Sequence, residues 1–370
     1  MVVVVKVVVD VLNKEACKKL RPLWEEVFFE DSVQFTDYYF ENKAEKNVGY
    51  VIGQAPYDAM MFRTPYTLQI GENLREISYI VGVATREECR HRGYMRKLLK
   101  YSFREMYEEK MPFTFLMPAN PAIYEPFDFK YIYEREVWEL REPGRAIDIL
   151  ETLTSQEKDN NTKPEGLYSV RSLCRQEPQI PILHLLAEFA NQYLREHYNI
   201  YVHRDASYYE MQLKELEAQN GDIYVLFEQG EIKAFFLYAK EGDEIFLQEV
   251  IEKEEGKLEF LQKAEKKKPI IMARIIHLEE MMKLVCSKEK KTVVIEIKDD
   301  LIPENAGIYR WEMTLRGSEV TKIQSNMRDE EADFMDLKAA ERKAIEQDIS
   351  MHIRDFAPWV LTGAFINEIV

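Results

Sequence analysis

Apolar and polar positions along residues 1–143 switch between two periods, one suited to strands and one to helices. Short, mostly apolar runs at 50–52, 59–63, 77–85 and 113–117 are separated by turn-forming or polar residues and read as strands. The opening MVVVVKVVVD reads as another strand, and residues 20–29 as a helix. A stronger helix lies between the last two of these strands. There Met95, Leu98, Leu99, Phe103 and Met106 follow 3.6-residue spacing, while Arg96, Lys97, Lys100 and Arg104 fall outside that stripe. One face of such a helix packs on a sheet, so this stretch is expected to form an α/β layer structure.

Residues 157–166, rich in Asn, Lys, Asp and Pro, are expected to be a loop. Beyond them, 182–193 reads as a helix. Residues 222–251 read as three strands turning at Glu228-Gln229-Gly230 and Glu241-Gly242-Asp243, an antiparallel meander. The basic run 263–268 before Pro269 reads as a linker. From about residue 270 an α+β pattern follows, with a helix near 279–286, strands at 292–297 and 307–315, and helices after Asp329. Residues 357–370 are apolar enough to be buried rather than frayed. A chain of 370 residues exceeds one compact core, and the pattern divides it at 1–143, 144–268 and 269–370.

Composition narrows the function. Acidic residues outnumber basic ones 66 to 50, a net charge of −16, which argues against a binder of nucleic-acid backbones, since these need clustered Lys and Arg. Cationic small molecules suit this charge, although acidity also serves solubility. Cys17, Cys89, Cys174 and Cys286 are scattered with no C-x-x-C pair, so neither a zinc site nor a disulfide framework is expected. His197 and His203 lack metal-ligand spacing and read as structural. The apolar opening is too short to span a membrane and lacks signal-peptide features, so a cytoplasmic protein with no membrane partner is expected. The sequon at Asn160-Asn161-Thr162 is then only formal.

Chemistry concentrates in the run Ile80-Val81-Gly82-Val83-Ala84-Thr85-Arg86-Glu87-Glu88-Cys89-Arg90-His91-Arg92-Gly93-Tyr94-Met95-Arg96, which is strand, turn and helix start. The first turn of a helix leaves backbone N–H groups unpaired at the positive end of its dipole, an anion cradle. Gly93 would let a ligand approach the backbone, and Arg90, Arg92 and Arg96 add positive charge. An Arg-x-x-Gly pattern alone occurs about once by chance in a chain this long. The preceding apolar strand and the following amphipathic helix supply the setting that a pyrophosphate loop requires.

This strand, Arg90-His91-Arg92-Gly93 and helix resemble the acetyl-coenzyme A motif of the GNAT acetyltransferases. Met95 stands where most of that superfamily has Gly or Ala, a departure that the enhanced intracellular survival (Eis) branch tolerates. Met117-Pro118-Ala119-Asn120-Pro121-Ala122-Ile123-Tyr124-Glu125-Pro126-Phe127-Asp128-Phe129 resembles that branch's strand, loop and Ile-Tyr segment. Met272-Ala273-Arg274-Ile275 and Asn305-Ala306-Gly307-Ile308-Tyr309-Arg310-Trp311 resemble pieces of its third domain. The resemblance covers the whole chain. It implies a mixed α/β and α+β fold: a catalytic GNAT domain (1–143), a second GNAT-like domain without a cofactor site (144–268) and a C-terminal sterol-carrier-protein-like domain (269–370).

The resemblance also implies roles. Val83, Ala84 and Thr85 would pair with the pantetheine arm, and Arg90, His91, Arg92, Gly93, Tyr94, Met95 and Arg96 would hold the pyrophosphate. Ala119 and Asn120 would line the cofactor. Tyr124 would be the general acid for the departing thiol, and the α-carboxylate of Val370 the general base. On residue type alone Tyr124 reads as a packing tyrosine beside Phe127, Phe129, Tyr131 and Tyr133, and Val370 as a docked terminus; motif position favours the catalytic roles. Glu30, Asp31 and Glu368 could attract a cationic amine, and Glu76 is the alternative base. The implied function is acetyl transfer from acetyl-CoA to a primary amine of a polyamine, an aminoglycoside-like molecule or a lysine. The competing reading is a non-catalytic acetyl-CoA sensor or lipid binder. The family's common hexamer implies a homo-oligomer, and no metal is expected.

Overall fold

The computed structural model describes residues 7–141, 168–174, 180–242, 244–323 and 348–368. Its centre is a nine-stranded sheet. Strands β1 (Asp10–Leu12), β2 (Val48–Ile52), β3 (Ala59–Ile70) and β4 (Asn73–Thr85) form an antiparallel run, and β5 (Phe113–Leu116) follows parallel to β4. The strand Lys268–Ile275 lies between β5 and β6 (Lys130–Arg135), antiparallel to both. Ile200–Val202 pairs with the far end of β3, and Ala364–Phe365 pairs with Ile200–Val202. Strands from all three sequence segments therefore share one sheet.

Burial explains the local pattern. All four residues of β5 are buried, as an interior strand with neighbours on both sides should be. Removing Phe113 and Phe115 from water contributes about 2 kcal/mol each. Helix α1 (Arg21–Val27) lies on β4, and α2 (Val33–Tyr38) begins at Ser32, whose hydroxyl accepts the Phe35 N–H at 3.1 Å. Helix α3 (Tyr94–Glu108) buries Leu98, Leu99, Phe103 and Met106 against the sheet and exposes Arg96, Lys97, Lys100 and Arg104, as the 3.6-residue spacing requires. Met95 is only partly buried.

The meander is present as Asp222–Glu228, Glu231–Glu241 and Glu244–Glu252, joined by Tyr168–Ser172 into a four-stranded sheet. The helices Ile180–His197 and Ala206–Ala218 belong to the same region. A further four-stranded sheet, ordered Gly317–Ile323, Gly307–Thr314, Lys291–Lys298 and Asp348–His352, forms the β-rich C-terminal part. The run read as a linker connects the strand Leu261–Lys263, paired with Trp138–Leu140, to the strand Lys268–Ile275. The opening strand begins at Asp10, with residues 1–6 outside the described set, as are the loop 157–166 and residues 324–347.

Candidate active site

Strands β4 and β5 are paired at one position, Tyr79 opposite Phe115. Past it the two strands part, and among the described residues the β5-facing edge of residues 80–85 has no strand partner. An open strand edge is a template for another extended group. The fork is sharpened by a bulge in β4: Phe62 faces Val81, Met60 faces Ala84, and Gly82 sits between them at φ +61°. Gly82 is also required by space, because a Cβ there would lie 2.6 Å from the Trp24 ring. Trp24 stacks on Tyr39 at 4.4 Å and donates its indole N–H to Asp31 at 2.8 Å.

At the open end of the fork α3 starts. Gly93 is its N-cap, in the left-handed region at φ +76°, with no side-chain cap on the first turn. Helical geometry leaves the N–H groups of Tyr94, Met95 and Arg96 without intrahelical acceptors. A Cβ on Gly93 would meet nothing within 4 Å, so the space above these donors is open. His91 also has positive φ, 62°. Arg90 donates to the Thr85 carbonyl at 3.3 Å and Arg92 to the Glu88 carbonyl at 2.8 Å, which ties the loop to the strand it leaves. Arg96 lies 5.0 Å from the centre of the Phe127 ring. The loop thus presents helix-end amides and three arginines to an anion.

The chain leaves β5 into an exposed loop holding Ala119 and Asn120. Asn120 accepts the Ala122 N–H at 3.0 Å and caps α4 (Pro121–Tyr124). Tyr124 ends that turn, partly buried, with its ring edge-to-face on Phe129 at 6.0 Å. Desolvation pushes its hydroxyl up to about 12. Of the packing group suggested by sequence, Phe129 stays beside Tyr124, while Phe127 sits under Arg96 and Tyr133 packs on Phe365 at 5.4 Å.

The C-terminal segment joins the same sheet beside Ile200–Val202. After Ala364–Phe365, Asn367 donates to the Gln248 carbonyl at 2.7 Å, and Glu368, 2% exposed, accepts the Tyr208 hydroxyl at 3.1 Å. Desolvation raises Glu368 to about 7, with Glu249 and Glu215 adding to the rise and Arg204 and Lys43 opposing it. Desolvation raises Tyr66 and Tyr79, with the charge of Glu368 adding to the rise, and these two rings lie 5.9 Å apart at the closed end of the fork. A cavity of about 230 Å³ opens here, lined by Lys43, Tyr66, His203, Asp205 and Tyr208 among others. Val370 lies outside the described residues. Of the other acidic candidates, Glu30 and Glu76 are exposed, and Asp31 is engaged by Trp24.

The structure therefore brings together residues 83–85, 90–96, 119–120 and Tyr124 around one fork. Sequence reasoning missed Gly82, whose signal was a glycine inside an apolar strand. It also took Glu368 for a surface charge, although the apolar segment 357–370 that holds it was expected to be buried. Among the described residues no group of His, Cys, Asp and Glu could hold a metal, and no helix is long and apolar enough to cross a membrane.

No curated protein sequence matches the chain significantly. Among solved structures, a probable N-acyltransferase of Enterococcus faecalis V583 superposes with a TM-score of 0.71 at 14% identity, over 96% of this chain and 89% of that one. Eis1 of Mycobacterium abscessus superposes with a TM-score of 0.64 at 12% identity, over 96% and 89%. A GCN5-related N-acetyltransferase of Anabaena variabilis gives 0.62 at 15%, over 86% of each chain. At such identities these likenesses speak to the fold, which is GNAT-like with an additional β-rich C-terminal region. The family model described as Acetyltransferase (GNAT) domain matches residues 9–132, which contain the fork, the cradle and Tyr124. Residues 9–132 form a GNAT acetyltransferase domain, a domain that uses acetyl-CoA as its cosubstrate.

Proposed function

We propose that the chain transfers the acetyl group of acetyl-CoA to a primary amine of a cationic small molecule or a lysine side chain. The observation that carries this reading is the fork between β4 and β5, with the helix-end cradle at its mouth and Tyr124 on the loop that leaves β5. In this reading Val83, Ala84 and Thr85 pair with the pantetheine arm. Residues 90–96 hold the pyrophosphate, and Ala119 and Asn120 line the cofactor.

Tyr124 stands over the departing sulfur. With the phenol at about 12 and an alkyl thiol near 8.5, complete proton transfer is uphill by about 5 kcal/mol. Tyr124 therefore acts as a hydrogen-bond donor to the developing thiolate, with the proton following from solvent. The amine's proton goes to the α-carboxylate of Val370, two residues beyond the buried Glu368. Such a carboxylate must be raised by burial or act through water to accept it. Support comes from Glu368, a buried carboxyl that accepts the Tyr208 hydroxyl and is raised to about 7 by desolvation.

The same reading divides the chain at 1–143, 144–268 and 269–370 and gives the last part an Eis-like, sterol-carrier-like character. Support comes from the likeness in fold to Eis1 over 96% of this chain. It further takes the protein as a cytoplasmic homo-oligomer; a sedimentation mass equal to one chain counts against that.

Thiol release measured over a panel of polyamines, aminoglycosides and lysine peptides tests the reaction, and silence across the panel rejects the amine class. Tyr124→Phe keeps the ring and removes one hydroxyl, so kcat should fall by about 100-fold with acetyl-CoA affinity unchanged. A kcat within a few-fold of wild type would leave Tyr124 as a packing residue.

A further inference from the structure

Arg274 lies on the strand Lys268–Ile275 that completes the central sheet, and its side chain is fully buried. A buried guanidinium is costly unless its donors are met, and here each of its three nitrogens has an acceptor. Nε donates to the Phe127 carbonyl at 3.1 Å, Nη1 to the Ile275 carbonyl at 2.6 Å, and Nη2 to Asp299 Oδ1 at 2.7 Å. Asp128 lies 3.8 Å from Nη2, and the Phe103 ring centre 4.9 Å from the guanidinium carbon.

Phe127 and Asp128 close the turn that begins at α4. Residues Glu125–Phe127 form a tight helical turn after Tyr124, and Asp128 ends it at φ +65° with its N–H on the Glu125 carbonyl at 3.0 Å. Phe129 then bridges the Tyr124 ring, at 6.0 Å, to the Phe103 ring, at 6.1 Å. One guanidinium therefore grips the carbonyl that ends the turn and backs the ring layer on which Tyr124 rests. The grip is anchored in the C-terminal part. Asp299 Oδ1 also accepts the N–H groups of Leu301 and Ile302, and Asp299 Oδ2 accepts the Asn305 amide. That amide also donates to the Ile276 carbonyl. His352 and Arg354 reach the outer side of Asp128, each at 3.7 Å.

We infer that Arg274 is a positioning residue for the acetyl transfer: supplied by the chain after residue 268, it holds the 121–128 turn so that the Tyr124 hydroxyl faces the departing thiol. This rests on the reading of Tyr124 as the donor to that thiol. Lysine keeps the charge but, as a single ammonium on a flexible stem, cannot reproduce the planar fork that serves Phe127, Ile275 and Asp299 together.

The test is kcat and KM for acetyl-CoA in the full chain carrying Arg274→Lys, Tyr124→Phe or both. Arg274→Lys should lower kcat by about tenfold or more, with KM for acetyl-CoA changed less than about threefold. In the Tyr124→Phe background the same change should lower kcat by less than about twofold, since the group it positions is gone. An undiminished loss in that background means Arg274 serves stability alone and overturns the inference. Asp128→Asn is the milder variant, isosteric and tolerant of the left-handed backbone. It should lower kcat by about two- to fivefold in wild type and leave Tyr124→Phe unchanged, which decides the matter if Arg274→Lys does not fold. Wild-type kcat in Tyr124→Phe rejects the Tyr124 reading and this inference together. Wild-type kcat in Arg274→Lys beside a slow Tyr124→Phe rejects the inference alone.

Discussion

Two glycines of the site answer to different constraints. Gly82 combines φ +61° with a crowded side, the Trp24 ring 2.6 Å and Phe62 3.1 Å from where a Cβ would stand. Gly82→Ala adds left-handed strain to overpacking and should cost about 2–4 kcal/mol, read as a lowered urea midpoint with an unchanged slope. An unaltered midpoint would mean that the bulge relaxes freely. Gly93 has the same sign of φ but open space around it. Gly93→Ala should therefore cost only about 1 kcal/mol of strain. Gly93→Glu puts a carboxylate over the first-turn amides and should abolish acetyl-CoA binding in calorimetry while the protein stays folded. Retained binding would place the cofactor elsewhere. Gly93 was legible because strand, arginines, glycine and helix are contiguous in sequence. The reason for Gly82 was not, because Trp24 is 58 positions away in the chain and meets it only once α1 lies on β4.

The elements that carry the cradle were readable for the same reason that they form: β4 alternates or runs apolar, and α3 repeats at 3.6 residues. The strand Lys268–Ile275 was read only as the start of a new unit, because pairing of Ala273 with Phe115 is set by tertiary contact and leaves no mark in local periodicity. Its buried Arg274 is likewise invisible until Asp299 and Phe127 are placed around it. The C-terminal element shows how burial changes a side chain that sequence could treat only as a surface charge. Glu368 rises from the usual 4.5 to about 7. The folded state thus binds its proton more tightly than the unfolded chain does, and this contribution is complete below about pH 4.5 and lost as pH rises through 7. Tyr208, Arg204, Lys43, Glu249 and Glu215 all face it, so the charged form is opposed by desolvation and two carboxylates and favoured by two cations. Glu368→Gln should match wild type in stability near pH 4.5 and gain on it by up to about 3 kcal/mol above pH 8. A gain independent of pH would show that the carboxylate is solvated.

At the scale of the molecule, the site is assembled from distant parts of the chain: the fork from residues 59–85 and 113–116, the grip on its Tyr124 turn from 274, 299 and 305, and the closed end from 200–209 and 364–368. This gives the proposed terminal base a physical setting. Ala364–Phe365 pairs with Ile200–Val202, which pairs with β3, so residues 364–365 belong to the same sheet as the open edge of β4. If the α-carboxylate of Val370 accepts the amine's proton, residues appended after it replace that charge with a neutral amide and carry the new terminus away. The kcat should fall by about 100-fold, the loss expected for a general base, while the melting temperature stays near wild type because the anchoring contacts lie at 364–368. Val370→Ala keeps the carboxylate and trims only a side chain, so it should retain far more activity than the extended chain. A terminus that merely packs gives a different order, with activity and melting temperature declining together in both variants. A fully active extended enzyme would remove Val370 from the reaction and leave water or Glu76 to take the proton.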